Sequence, residues 1–259
     1  MNQLLSRLAG GELAGFILVL ARVGPLFLLA PVFSAKTLPP RVKGIAAVAI
    51  TIGLTPMAVH GQHIPSDMVV LGGLILQGIL TGLGFAFSIA VMFAAVESAS
   101  AFVDAIAGFT LGGMLDPMSG SQGGVFSELY ATVATMVFLA IGGDAWMLRG
   151  LARTFQLVPL TSAPRLGSLV GGAEQVFAGV FSSALEIVAP VLLALLVTDV
   201  AFGVVSRVVP QMNVFAVGFP TKIAVAVVVV GATLPFIGGW LTQQLALSVG
   251  SALTTLHAV

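Results

Sequence analysis

The chain alternates long apolar runs with short polar segments. Six mainly apolar runs, each close to the length of a membrane-spanning helix, cover residues 13–33, 44–59, 68–96, 125–142, 176–205 and 214–239. No segment shows the short polar–apolar alternation of barrel strands, and a helix satisfies its own backbone hydrogen bonds in lipid. The pattern predicts an all-α integral membrane protein with about six helical stretches, folded as one subunit over residues 1–259.

Two of these runs are too long for simple transmembrane helices. As helices, residues 68–96 and 176–205 would each extend roughly 45 Å, whereas the hydrocarbon core of a bilayer is about 30 Å thick. We therefore expect both helices to tilt, to bend or to extend beyond the bilayer. Gly82 and Gly84 in the first, and Pro190 in the second, are the candidate bending points.

The basic loop residues do not follow the usual topology of six simple spans. They lie in the loop after the first run and in the loop between the fourth and fifth runs, as Lys36, Arg41, Lys43, Arg149, Arg153 and Arg165. Six simple spans would put these two loops on opposite sides of the membrane, against the positive-inside rule. Either an element between residues 68 and 124 crosses an unexpected number of times, or several helices are not lipid-facing spans.

Composition narrows the functional classes. The chain is 58% hydrophobic and 8% charged, whereas soluble domains carry about 25% charged residues. Ten basic and ten acidic residues leave no basic excess for nucleic acid. The absence of cysteine excludes disulfides and thiolate chemistry, and no phosphate-binding loop motif is present. His60, His63 and Asp67 share a short loop, but two histidines and one acid are weak evidence for a metal, so we expect no metal or cofactor.

Charged residues inside apolar runs are costly and are candidates for function. They are Arg22, Glu97, Asp104, Glu186, Asp199, Arg207 and Lys222. Glu97 and Asp104 lie seven residues apart, on one helix face and two turns from each other, which would suit a proton relay. The interpretation we favour is that these acids face a polar interior or pair with basic residues such as Arg22 or Arg207 at helix contacts.

Residues 106–124, between the third and fourth runs, form a loop rich in glycine and methionine that contains no basic residue. Its apolar side chains include Phe109, Leu111, Met114, Leu115 and Met118. Such a loop would be a liability in water. Two interpretations stay open: a connector buried against helices, or a flexible seal that closes a pore. In the preceding run, Gly78 and Gly82 predict close approach of another helix.

Four motifs, in order along the chain, carry a family resemblance. They are Arg22 with the Pro39-Pro40-Arg41 turn, Asp116-Pro117, the Gly142-Gly143-Asp144 turn, and the pair Pro210-Gln211 and Gly218-Phe219-Pro220. Together they resemble the FliR family of flagellar export-gate subunits, whose injectisome counterparts are the T subunits of type III secretion. The Gly-Gly-Asp turn departs from the Asn-Gly-His often found in the family, so no role is carried over to Asp144.

The resemblance implies a non-enzymatic, pore-forming subunit of the type III protein export gate, in the bacterial inner membrane at the flagellar basal body. It implies slanted helical hairpins within a helical assembly of FliP-like and FliQ-like subunits, next to FlhA-like and FlhB-like components. Residues 106–124 would plug the closed pore until an unfolded secreted protein displaces them. The intramembrane charges would then make polar contacts between helices and between subunits.

Three alternatives remain. The chain could be the T subunit of a virulence injectisome. It could be a small-molecule secondary transporter, which intramembrane acids and broken helices favour. It could also be a scaffold that nucleates assembly without taking part in conduction.

Overall fold

The computed structural model describes residues 12–35, 38–65, 67–109, 124–163, 166–211 and 213–257, and in these residues the regular structure is entirely helical. The helices of the described residues are α1 (Leu13–Leu29), α2 (Pro31–Ser34), α3 (Pro40–Val59), α4 (Met68–Ala107), α5 (Val125–Ala140), α6 (Gly143–Leu157), α7 (Leu166–Val208) and α8 (Val214–His257). Each of the six predicted apolar runs lies mostly in helix. The predicted all-α class is confirmed.

Four of these helices, α3, α4, α7 and α8, are long and apolar enough to cross a membrane. α5 and α6 form a fifth candidate span if they are counted together, although they meet at an angle of 68°. Gly142 lies at this break with a φ of +69°, a left-handed conformation that glycine adopts readily. The chain is an integral membrane protein, as predicted.

The first predicted run is divided. α1 ends at Leu29, and Ala30 adopts an extended conformation with a ψ of 121° before α2 starts at Pro31. Proline disfavours the helical conformation in the residue before it, and the chain leaves the helix at Ala30. α1 is consequently an apolar helix of 17 residues.

Three helices are longer than their apolar runs suggest. α4, α7 and α8 contain 40, 43 and 44 residues, which corresponds to about 60–66 Å of helix against about 30 Å of hydrocarbon. α4 is continuous through Gly82 and Gly84, and α7 is continuous through Pro190. Parts of these helices must therefore lie outside the apolar layer or be strongly inclined within it.

The chain forms two compact units. The first comprises residues 1–91, 141–177 and 244–259. In it, α1 crosses α4 at the predicted pair of glycines. A Cβ atom on Gly78 would lie 3.4 Å from the carbonyl oxygen of Leu18, and one on Gly82 would overlap the carbonyl oxygen of Arg22. The close helix approach predicted from Gly78 and Gly82 is thereby confirmed.

α6 completes the first unit as an amphipathic helix. Met147, Leu151 and Phe155 are buried at helical spacing, whereas Trp146 and Arg149 are exposed. The Arg149 guanidinium lies 5.6 Å from the centre of the Trp146 ring. The apolar stripe explains why α6 packs within the first unit although its sequence is more polar than that of the other helices.

The second unit comprises residues 92–140 and 178–243. Its buried side chains include Phe126, Tyr130, Phe138, Val188, Leu195, Val230 and Leu241. The Phe93 and Phe138 rings pack edge to face, with their centres 5.4 Å apart. This unit contains both ends of the central loop and so positions the candidate site.

Candidate functional site

The two ends of the central loop meet in the second unit. We call this meeting point the loop anchor. It consists of Asp104, Gly108 and Phe109 at the end of α4, Gly124, Phe126 and Ser127 at the start of α5, and Phe219 on α8. Residues 110–123 lie outside the described part of the chain. The anchor therefore defines the place from which that segment begins and to which it returns.

The Asp104 carboxylate holds the first turn of α5. Its Oδ1 accepts a hydrogen bond from the backbone N–H of Phe126 at 3.1 Å, and its Oδ2 accepts one from the N–H of Ser127 at 2.9 Å. The Ser127 hydroxyl donates a third hydrogen bond to Oδ2 at 2.6 Å. The first N–H groups of a helix have no partner within the helix and carry partial positive charge, so a buried carboxylate is a well-matched cap.

The backbone carbonyl of the same residue closes the other end of the loop. It accepts hydrogen bonds from the N–H groups of Gly108 at 3.1 Å and Phe109 at 2.9 Å. Gly108 has a φ of +91°, the left-handed conformation that commonly ends a helix. Asp104 thus fixes the exit of the chain from α4 through its backbone and its return into α5 through its side chain.

Two glycines make this close approach possible. A Cβ atom on Gly124 would overlap the Asp104 carboxyl group, and one on Gly108 would lie 2.7 Å from Cε2 of the Phe219 ring. The Phe109 and Phe126 rings close the anchor, edge to face, with their centres 5.5 Å apart. Larger residues at positions 108 and 124 would push these groups apart.

The predicted seal residues are divided between the described and undescribed parts of the chain. Phe109 is half-buried against Phe126. The other four, Leu111, Met114, Leu115 and Met118, lie outside the described residues, as do the motif residues Asp116 and Pro117. Their part in a seal stays a prediction.

Glu97 and Asp104 occupy different environments despite their shared helix face. Glu97 is exposed, whereas Asp104 is 1% exposed and bonded to the start of α5. Seven residues correspond to about 10 Å along a helix, which is too far for direct proton transfer. The described contacts of Asp104 are with backbone and hydroxyl donors, so its geometry suits a structural clamp.

Arg22 lies in the first unit and caps the end of α6. It is 1% exposed, and its Nη1 donates hydrogen bonds to the carbonyl oxygens of Thr154 at 3.1 Å and Val158 at 2.7 Å. Its guanidinium carbon lies 4.6 Å from the centre of the Phe155 ring. A cation at the carbonyl end of a helix compensates the negative end of the helix dipole, so Arg22 joins α1 to α6.

Asp199 and Lys222 join α7 to α8 within the second unit. The Lys222 Nζ lies 2.8 Å from Oδ1 and 2.9 Å from Oδ2 of Asp199. Glu186 and Arg207, the other charged candidates on α7, are exposed.

The Pro-Gln and Gly-Phe-Pro motif lies where the chain passes from α7 to α8. Pro210 and Gln211 form the exposed turn, and Gly218 and Pro220 lie in the first turns of α8, with Gly218 buried. The Asn213 side chain accepts a hydrogen bond from the N–H of Ala216 at 3.2 Å, as a helix cap does. The motif thereby directs α8 so that Phe219 reaches the loop anchor.

Sequence reasoning did not single out five anchor residues: Gly108, Gly124, Phe126, Ser127 and Phe219, the last of which it named only as part of the Gly-Phe-Pro motif. Gly124 and Ser127 border the start of an apolar helix, where small and hydroxyl residues are typical caps, so a capping search would have marked them. The sequence does not show which acid, 20 or more residues earlier, is buried and contacts these two residues.

Comparison with known proteins finds one matching family and several individual relatives. The profile of the family described as "Bacterial export proteins, family 1" matches residues 13–247. The flagellar biosynthetic protein FliR of Escherichia coli is 28% identical over 84% of this chain and 83% of its own length. The FliR of Bacillus subtilis is 30% identical over 82% of each chain. The surface presentation of antigens protein SpaR of Salmonella typhimurium is 28% identical over 81% of this chain and 78% of its own length.

Proposed function

Because the chain belongs to the bacterial export proteins of family 1, we propose that it is a structural, pore-forming subunit of the flagellar type III protein export gate. The observation that carries this proposal is the match to FliR relatives over more than four fifths of the chain. Those proteins are described as flagellar biosynthetic proteins, and the helices of this chain suit a protein embedded in a membrane.

The proposal places the chain in the bacterial inner membrane, at the flagellar basal body. Its partners there are FliP-like and FliQ-like subunits, with FlhA-like and FlhB-like export components adjacent, and its substrates are unfolded secreted proteins. Three helices exceed the bilayer thickness, and many large apolar side chains of α7 and α8 are exposed in the isolated chain. Coverage of this apolar surface by other subunits agrees with a multi-subunit gate.

Within this gate, residues 106–124 act as the plug. A loop that plugs a channel needs both of its ends held in place, because a loop whose ends drift apart cannot seal a narrow channel. Asp104 holds both ends of the loop in place through hydrogen bonds. The methionines and glycines of the loop would let it adapt to the pore and yield to a passing chain. The gate performs no catalysis in this proposal and needs no cofactor.

The test is made in the bacterium that carries the gene. Deletion of the gene should abolish secretion of flagellin into the medium, and the intact gene should restore it. A variant lacking residues 110–118 should assemble but make the inner membrane permeable to small ions, measured as loss of membrane potential. A variant that assembles and stays tight would instead support a scaffold without a role in sealing.

A second candidate is the equivalent subunit of a virulence injectisome, which the similarity to SpaR favours. The same deletion distinguishes the two. If flagellin secretion continues and other secreted proteins disappear from the medium, the injectisome function holds. Transport of a small solute by the purified chain alone in liposomes would contradict both.

A further inference from the structure

The second unit carries an apolar groove between α7 and α8. Its volume is about 650 Å³. Its walls include Glu186 and Pro190 from α7, and Thr233, Pro235 and Trp240 from α8. We call it the α7–α8 groove.

Among the side chains that line this groove, Glu186 is the one charged group, and Thr233, Trp240 and Gln243 are the polar ones. Glu186 contributes a carboxylate. Pro190 has no N–H to donate to the carbonyl of Glu186, four residues earlier, and Pro235 has none to donate to the carbonyl of Gly231. The Thr233 hydroxyl already donates to the carbonyl oxygen of Val230 at 3.0 Å. An occupant with a positive charge would pair with the Glu186 carboxylate.

The second unit has no cation that can reach Glu186. Its only basic residues are Arg207 and Lys222. Arg207 lies 21 residues further along α7, or about 31 Å. Lys222 is bonded to Asp199, which lies 13 residues, or about 20 Å, from Glu186 along α7. The carboxylate is therefore left without a counter-charge within its own unit.

Apolar sequence surrounds Glu186 on both sides. It lies about 30 Å from each end of α7, and apolar residues dominate α7 from 176 to 205. Phe236, which lines the groove, is 76% exposed, and Leu185, the neighbour of Glu186 in sequence, is 50% exposed. An unpaired carboxylate at such a position is costly and is normally paired within a helix bundle. A lipid headgroup would offer an amine only at the membrane surface, whereas a partner helix can place one deep in an apolar layer.

We propose that the α7–α8 groove receives an apolar helix of another subunit, which places a Lys or Arg side chain against Glu186. This inference rests on the proposed function, because it requires the chain to be part of a hetero-oligomer. The apolar face of the incoming helix covers Phe236 and Leu185. Its cation bonds the Glu186 carboxylate.

Crosslinking identifies the occupant. A photo-reactive phenylalanine analogue replaces Phe236 in the full assembly, and the crosslinked peptides are sequenced by mass spectrometry. We expect a peptide from a different subunit with Lys or Arg inside an apolar run. Crosslinks only to phospholipid, only to a second copy of this chain, or to no protein would overturn the inference.

Charge reversal tests the ion pair. Glu186→Lys should lower the amount of the crosslinked subunit that co-purifies by at least about tenfold, as expected for breaking a desolvated charge pair. Replacing the identified basic residue by Glu should restore it. Glu174→Lys is the matched control, because Glu174 is exposed on the same helix but does not line the groove. Equal effects of the two reversals would refute the pairing.

The two proposals fail in different ways. If the unaltered chain co-purifies with no other subunit, the proposed function is wrong. If partners co-purify normally with both Glu186→Lys and the unaltered chain, the proposed function stands and the groove inference is wrong.

Discussion

The loop anchor makes a quantitative prediction about Asp104. Replacing it with alanine removes three hydrogen bonds to an ionised acceptor, from Phe126 N–H, Ser127 N–H and the Ser127 hydroxyl. Each such bond contributes about 1.5–3 kcal/mol, which would give about 5–9 kcal/mol if the bonds were additive. Loss of a helix cap typically costs only about 0.5–2 kcal/mol, because water and neighbouring groups partly replace it.

Burial places Asp104→Ala between these limits. The side chain is 1% exposed, so water does not easily reach the freed N–H groups, but the buried charge is also removed. We therefore expect a loss of about 2–4 kcal/mol in the free energy of unfolding. The measurement is an SDS titration of the purified assembly, with a membrane-potential assay in cells to detect leakage through a loosened loop.

The matched control is Glu97→Ala, which removes an exposed acid from the same helix one heptad earlier. It should change the free energy of unfolding by no more than about 0.5 kcal/mol. Ser127→Ala completes the comparison: it should cost about 1 kcal/mol in the native background and almost nothing once Asp104 is absent. Equal losses for the two acids, or an unchanged effect of Ser127→Ala, would refute the clamp.

Three further substitutions test the packing of the two units, each by SDS titration unless stated. Gly82→Ala should destabilise the fold by about 1–3 kcal/mol because its Cβ overlaps a backbone oxygen, whereas Gly73→Ala, which meets open space, should be neutral or stabilising by up to about 1 kcal/mol. Arg22→Leu should cost about 3 kcal/mol and speed hydrogen exchange in the last turn of α6, because two carbonyls lose their donor; unchanged exchange would contradict the capping role. The partly exposed Asp199–Lys222 pair should show a coupling of no more than about 1 kcal/mol that weakens in salt, so a large, salt-independent coupling would disprove that estimate.

The sequence predicted where the helices form better than it predicted which residues contact each other in the fold. The length of the apolar runs located six helical stretches, and the spacing of Gly78 and Gly82 predicted a helix crossing that the structure contains. The end of α1 at Ala30 was not predicted: proline disfavours helix in the residue before it, yet the helix continues through Pro25 and ends before Pro31.

The loop anchor could not be predicted in this way. The buried state of Asp104 depends on the chain returning to it at Ser127, after a segment with no periodic pattern. Glu97, with the same chemistry and the same helix face, is exposed because nothing returns to cover it. Local propensity contains no information about which acid is met by a later segment, since that contact is decided by tertiary packing.

Because Asp104 holds both ends of the loop, the loop can change in evolution without changes in α4 and α5. With exit and return fixed at one residue, lengthening the loop changes only its closure entropy, which rises by about 0.6 kcal/mol for each doubling of length. Helices α4 and α5 would keep their positions whatever residues were inserted between them. Loops of different length could therefore be exchanged between homologues without redesigning the helices that carry them.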